Sequence, residues 1–294
     1  MQFSHPPLSV DQLADNLISK GLKGERRAVI ETIQAIGYYR LKGYWFDWRN
    51  ANGSLPSFAS LDLVKRRYVF DRRISGILFG AITDLETAIR SVVVESFYEE
   101  FPNESAPHLN KSCLHFHDQD HVDDYHDWLQ AIKRNEGNRH SQIAKHHCNK
   151  YSHMDIPLWA TVELMSFSHV LRLLNFNTQV KNRCAQRFGM RRGKDFLSAG
   201  FVMVALRNKI AHHDRVWNAK FVIRKQVIKI LRRRYSTLAQ ELTQQSNYSI
   251  FVVCILMQIM LSQTNIAAPL SKLFAGYPDL IEQTGFPINW QDFF

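Results

Sequence analysis

The chain has 294 residues, with 37 Lys+Arg against 27 Asp+Glu for a formal net charge of +10, and it is 45% hydrophobic and 22% charged. That mix belongs to a folded globular protein and excludes a disordered or collagenous one. The longest apolar run, Ile250 to Leu261, is interrupted by Gln258 and falls short of the roughly 20 residues a bilayer helix needs. No basic stretch followed by an apolar one occurs in Met1 to Pro7, so no secretory signal is expected. Cys113, Cys148, Cys184 and Cys254 lie too far apart for a disulfide framework, and a cytoplasmic protein with reduced thiols is expected.

Taken in chain order, the elements are helical. Ser9-Val10-Asp11-Gln12 opens an amphipathic helix with a capping box, and Gly21 closes it. Glu25 to Ile36 predicts a second helix, stopped by Gly37. A loop rich in Asn, Gly, Ser and Pro, Asn50 to Ser57, precedes a long helix over Leu61 to Phe101. There Leu63, Phe70, Ile74, Ile77, Leu78, Ile82, Leu85 and Ile89 recur at spacings of three and four. Pro102 and Pro107 end it. His108 to His153 reads as a polar, His-rich insert with one helix near Asp123 to Lys133. Pro157 suits the start of a helix over Leu158 to Leu174. Shorter helices follow, then Ala199 to about His213, a basic helix over Phe221 to Leu242 and an apolar one over Ser249 to Leu261. No stretch alternates as a strand does, so an all-α fold is expected. Its regions would be an N-terminal helical region 1–57, a helical core 58–245 carrying the insert 108–153, and a C-terminal helical extension 246–294.

The charge is concentrated. Lys181 to Arg234 holds 16 Lys and Arg against Asp195 and Asp214, a net +14 in 54 residues, and a smaller block runs Lys65-Arg66-Arg67 and Asp71-Arg72-Arg73. A plain solvated helix surface is the alternative reading, but an excess of this size favours a phosphate-bearing partner. The stretch lacks the clean apolar face of a membrane-surface helix. Within it and its flanks, Arg191, Arg192, Lys209, Arg215, Arg224, Lys225, Arg232, Arg233 and Arg234 are the candidate RNA contacts.

The most informative segment is Ala205 to Asn218, Ala-Leu-Arg-Asn-Lys-Ile-Ala-His-His-Asp-Arg-Val-Trp-Asn. On an ideal helix Val202, Leu206, Ile210, His213 and Trp217 share one apolar stripe. Asn208 and His212 share another face. Arg207 is five residues before His212, so a swung side chain, a distorted helix or two protomers are needed to bring the pair together.

This segment resembles the HEPN ribonuclease motif of the Abi-like, abortive-infection family. Ile36-Gly37-Tyr38-Tyr39-Arg40-Leu41-Lys42-Gly43-Tyr44-Trp45 is similar to that family's N-terminal signature. So are Phe70-Asp71-Arg72-Arg73 through Glu86 to Arg90, and Pro157-Leu158-Trp159 with Glu163 to Phe167. Gly285 to Trp290 also looks familial. Ser168 and Lys42 depart from the pattern where smaller residues are usual, and neither touches the Arg/His motif. The resemblance implies a HEPN-type helical bundle with added terminal helices. It further implies a metal-independent endoribonuclease for single-stranded RNA with its site assembled across a homodimer, acting in antiphage defence or as a toxin restrained by a small noncoding RNA or a protein antitoxin. Neither cofactor nor metal is implied.

The residue chemistry suits that activity. Imidazole exchanges protons near neutral pH, and a guanidinium clamps the oxygens of a phosphorane as charge builds on them. His212 is therefore the expected general acid/base, Arg207 the phosphate clamp and Asn208 the orienting residue, with Glu86, Arg90 and His213 in support. A non-catalytic RNA-binding protein is the alternative. Nine of the 13 histidines fall between His108 and His153. Cys113, His115 and His117, or His146, His147 and Cys148, have the ligand types of a zinc site but not a standard spacing. A metal nuclease built on His115, His117 and Asp120 is a separate hypothesis. Gly-rich phosphate loops and nucleophile elbows are absent from the sequence.

Overall fold

Ser9 starts the first helix by a reciprocal cap. Its hydroxyl accepts the Gln12 N–H at 3.2 Å, and the Gln12 side-chain oxygen accepts the Ser9 N–H at 2.8 Å, which occupies donors that a helix start leaves open. The computed structural model describes residues 6–137, 141–151, 155–235, 250–264, 278–283 and 286. Among these run α1 (Val10–Ser19), α2 (Arg26–Ile36), α3 (Tyr38–Lys42), α4 (Leu61–Glu100), α5 (Gln119–Glu136), α6 (Gln142–Tyr151) and α7 (Leu158–Leu164). They are followed by α8 (Phe167–Leu173), α9 (Thr178–Arg187), α10 (Gly193–Ala211), α11 (Lys225–Arg234), α12 (Ile250–Leu261) and α13 (Pro278–Glu282). The fold is all-α: among the described residues the sole β feature is an isolated bridge between Lys23 and Ser60. No helix among them is long and apolar enough to cross a membrane. Residues 236–242 of the expected basic helix, Ser249, and the Gly285–Trp290 segment apart from Phe286 lie outside the described residues.

The chain forms two compact units, one of residues 1–76 with Arg215–Trp217, the other of 77–214 with 218–294. The Asn50–Ser57 loop lies inside the first unit, and the division falls within α4.

In the first unit α1 packs on α2 and α2 on α3, burying Leu17, Val29, Ile33, Leu41 and Trp45. The block read as a second basic surface is partly interior. Arg67 is 5% and Asp71 2% exposed, because each has a dedicated set of partners. The Asp71 carboxylate accepts the Tyr44 hydroxyl at 2.6 Å and the backbone N–H groups of Val216 at 2.9 Å and Trp217 at 2.5 Å. Burial pushes the Asp71 carboxyl up from the usual range, against the pull of these donors and of Arg215. Arg67 donates to the Tyr44 carbonyl and to Asp47, both at 2.8 Å. Its guanidinium lies 4.2 Å from the Trp48 ring and 4.4 Å from the Trp217 ring, a cation held between two indoles.

In the second unit α10 is central, packed by α8, α9, α11 and α12. Gly200 permits the approach to α8, since a Cβ there would stand 2.7 Å from Leu171 Cδ1. The helix expected over Leu158 to Leu174 is two helices. Met165 takes an extended conformation, and Ser166 caps α8 by accepting the His169 N–H at 3.3 Å. A serine that can cap thus breaks what the apolar periodicity alone reads as continuous. The His-rich insert carries both α5 and α6 rather than one helix. It also contributes to the core: Tyr125, Trp128 and Ile132 are buried, and the Trp128 indole donates to the His169 carbonyl at 2.9 Å. His108 is fully buried beside the Trp128 ring, and among the described residues neither ring nitrogen has a hydrogen-bond partner. Burial, reinforced by Lys133, pushes its pKa down to about 4.

Candidate active site

Helix α10 ends at Ala211. The His213 N–H donates to the Ile210 carbonyl at 2.9 Å and the Asp214 N–H to the Lys209 carbonyl at 2.8 Å, a Schellman pattern that satisfies carbonyls of the last turn. His213 pays for the reversal with φ 58, a left-handed conformation uncommon outside glycine. The expected stripe is corrected at this point. Val202, Leu206 and Ile210 are buried as predicted, but the reversal takes His213 and Trp217 off the helix. His213 is exposed, and Trp217 is buried in the first unit.

The exposed edge of the last two turns carries Ala205, Asn208 and His212 at spacings of three and four, with Arg207 beside them at 40% exposure. Arg207 is only loosely held. Its Nη1 is 3.4 Å from Asn208 Oδ1, and its Nε is 3.8 Å from Glu86 Oε2, ion-pair range without a tight hydrogen bond. Glu86 is itself well anchored through its other oxygen, which accepts from Arg90. Arg90 in turn donates to the carbonyls of Val162 and Met165 at the end of α7. Glu86 and Arg90 are 15% and 13% exposed, so α4 presents an anchored carboxylate and α10 a loosely paired guanidinium in front of it. Lys209 Nζ stands 3.9 Å from Asp214. The helix C-terminus adds partial negative charge that favours cations in this turn. Together these groups offer solvent a guanidinium, an amide and an imidazole on one helix end.

The remaining basic residues divide sharply. Arg191, Arg224, Lys225, Arg232, Arg233 and Arg234 are exposed, and those on α11 lie around a buried Val227 and Leu231. Arg233 stands 3.7 Å from Asp195. Arg192 is spent on Asp195, to which it donates at 3.0 and 2.8 Å. Arg215 donates to the Gly43 carbonyl and lies 5.6 Å from the Trp217 ring, so its head group is engaged within the first unit. Arg183 and Arg187 are matched by Glu95, Glu99 and Glu100 of α4 at 2.6–3.4 Å. The local count of +14 therefore overstates the charge that faces solvent.

His117 stacks on His121 at 5.3 Å. Among the described residues no three His, Cys, Asp or Glu side chains gather closely enough to hold a metal ion, so the Cys113, His115, His117 and Asp120 sets are not assembled. The Cys148 side chain, His140 and His153 lie outside the described residues. The burial of Arg67 and Asp71 on α4, each with its own partners, carries no signal in the sequence, because charged residues on a helix usually face water.

A family model described as Abi-like protein matches residues 31–218, a span from α2 through Glu86, Arg90 and all of α10 to Asn218. No curated protein and no solved structure matches the chain.

Proposed function

The chain belongs to the Abi-like protein family, and from that premise we propose that it is a metal-independent endoribonuclease of the HEPN type that cleaves single-stranded RNA. Membership points to abortive infection, a defence role; the nuclease chemistry is our reading of the site. The observation that supports it is the end of α10, where Asn208 and His212 are exposed and Arg207 is held only loosely, by Asn208 and Glu86.

In this reading the Arg207 guanidinium takes the non-bridging oxygens of the scissile phosphate, and its loose contact with Glu86 is exchanged for a charge-assisted one. The RNA 2′-hydroxyl attacks phosphorus and gives up its proton. The P–O5′ bond breaks, the 5′-oxygen takes a proton, and a 2′,3′-cyclic phosphate and a 5′-hydroxyl remain. His212 performs one of these proton transfers. The other is assigned to a second His212 in a homodimer. Asn208 orients the phosphate or the imidazole. The exposed cations of α11 and Arg191 hold the rest of the strand, and the same surface would receive a small noncoding RNA antitoxin; a protein antitoxin is the other form of restraint. Such an enzyme acts in the cytoplasm, where its RNA is.

The second reading, a non-catalytic RNA-binding protein, is favoured by one feature, the exposed Arg232, Arg233 and Arg234 at the end of α11. The two separate on incubating nucleic-acid-free protein with single-stranded RNA in EDTA beside its His212→Ala variant. Cleavage by the parent alone, with 2′,3′-cyclic phosphate ends, supports the nuclease. Tight binding without cleavage, with or without divalent ions, supports the binder.

A further inference from the structure

The first unit holds a cavity of about 130 Å3. Its floor is apolar and aromatic: Leu17, Trp45 and Leu55 are 2%, 3% and 8% exposed, and Tyr38 meets Trp45 edge to face at 5.8 Å. Its rim carries three cations, Lys20, Lys42 and Arg49.

Among the described residues those cations have no counter-charge. Elsewhere in the unit Arg26 is held by Asp11 and Asp15, Arg27 by Glu31 and Arg67 by Asp47. Among the described residues no ion pair or side-chain hydrogen bond engages the heads of Lys20, Lys42 or Arg49. Lys42 Nζ and Arg49 Cζ instead lie 5.9 and 5.5 Å from the centre of one ring, that of Phe46, which is 56% exposed. Like charges gathered at a concave, low-dielectric rim repel one another and focus a positive field that an anion relieves. Arg49 already acts inward, since its charge opposes the rise that burial imposes on the Tyr38 phenol.

The rim is also built in advance. The Asn50 N–H donates to the Ser54 carbonyl and the Gly53 N–H to the Asn50 carbonyl, both at 2.9 Å, while the Leu55 N–H donates to the Lys20 carbonyl at 2.7 Å. Gly53, at φ 83, leaves room where a Cβ would stand 3.4 Å from Arg49 Nη2. The volume approaches that of an engineered 150 Å3 cavity that admits one benzene ring, and it is well below the span of sites for large ligands. One flat ring fits, with an anion at the mouth.

We propose that this cavity binds a single phosphorylated nucleotide, its base inserted against Tyr38 and Trp45 and its phosphate held by Lys20, Lys42 and Arg49. Aromatic walls with a cationic rim suit single-stranded nucleic acid, whose unstacked bases are free to enter. The same chemistry is presented by a free nucleoside monophosphate and by one nucleotide of an RNA chain. The site does not depend on the proposed cleavage, so it is tested on the full chain carrying His212→Ala, with binding read by calorimetry. Uridine and cytidine 5′-monophosphates are expected to bind at least tenfold more tightly than the matching nucleosides or ribose 5-phosphate. Lys42→Gln/Arg49→Gln is expected to lose that tenfold, and Arg49→Gln alone, at an exposed position, a smaller part of it at an unchanged melting temperature. A tetranucleotide that binds tenfold more tightly than the monophosphate, with the gain lost in the double variant, assigns the site to RNA; equal affinities assign it to the free nucleotide. The proposal is overturned if nucleotides bind no better than ribose phosphate, or if neither variant changes their affinity.

Discussion

Residues 207–214 and 215–217 adjoin in the chain and obey opposite physics. In the first group Asn208, His212 and His213 face solvent, and Arg207 is held only by contacts of 3.4 and 3.8 Å. In the second, the Val216 and Trp217 N–H groups are bound by a buried carboxylate, and the Trp217 ring covers Arg67. A polar side chain left loose at the surface is free to exchange its partner for a ligand, whereas a buried polar group is costly unless its partners are permanent. One short motif thus contains a chemical half and an architectural half, and sequence similarity alone does not tell which is which.

The largest effect separates the halves directly. His212→Ala or Arg207→Ala is expected to lower RNA cleavage by about 10²–10⁴-fold, while urea denaturation shifts by no more than about 0.5 kcal/mol. A comparable loss of stability in either variant would erase the distinction. Asp71→Ala should behave in reverse. It strands the Tyr44 hydroxyl and two backbone N–H groups, a cost of about 3 kcal/mol or more, visible as a lower urea midpoint. Asp71→Asn, which keeps an acceptor, should cost less.

A buried and an exposed histidine sharpen the same contrast. The folded chain keeps His108 neutral down to about pH 4, whereas the unfolded chain protonates it near pH 6.5. Between those values the unfolded state binds the extra proton, so His108 contributes stability that is complete above about pH 6.5 and is lost as pH falls toward 4, up to about 3 kcal/mol. Denaturation at pH 7 and pH 4.5 should show that loss in the parent and a smaller one in His108→Phe. The smallest effect concerns the two kinds of arginine. Arg232→Gln/Arg234→Gln should weaken RNA binding several-fold and reduce the slope of log K against log salt by about 1.4. Arg183→Gln, whose parent side chain faces Glu99 and Glu100, should leave both nearly unchanged.

Much of the fold was legible because its signals are local. The Ser9/Gln12 cap, the apolar repeat of α4 and the proline just beyond its end act over a few residues. What escaped was set at a distance or by backbone geometry. The end of α10 has no glycine, and the left-handed turn is made by His213, so a helical wheel drawn through it puts two residues on the wrong face. Arg183 and Arg187 are matched by acids more than 80 residues away, which no windowed charge count registers. For the candidate site, residue types and spacing singled out Arg207, Asn208 and His212, but the tie from Arg207 through Glu86 and Arg90 to the end of α7 needed three dimensions. The cationic cavity of the first unit gave no sequence signal, because Lys20, Lys42 and Arg49 are ordinary surface residues until the turn at Gly53 gathers them.

The first unit is discontinuous in the chain, since Arg215–Trp217 complete it only after roughly 140 intervening residues. On the ribosome, Asp71 and Arg67 therefore emerge long before the backbone donors and the indole that satisfy them. At about 5–20 residues per second of synthesis, the delay is roughly 7–30 s. During that interval the nascent chain carries an incomplete N-terminal core, and any factor that recognises unfinished polypeptide has its opportunity before the last piece arrives.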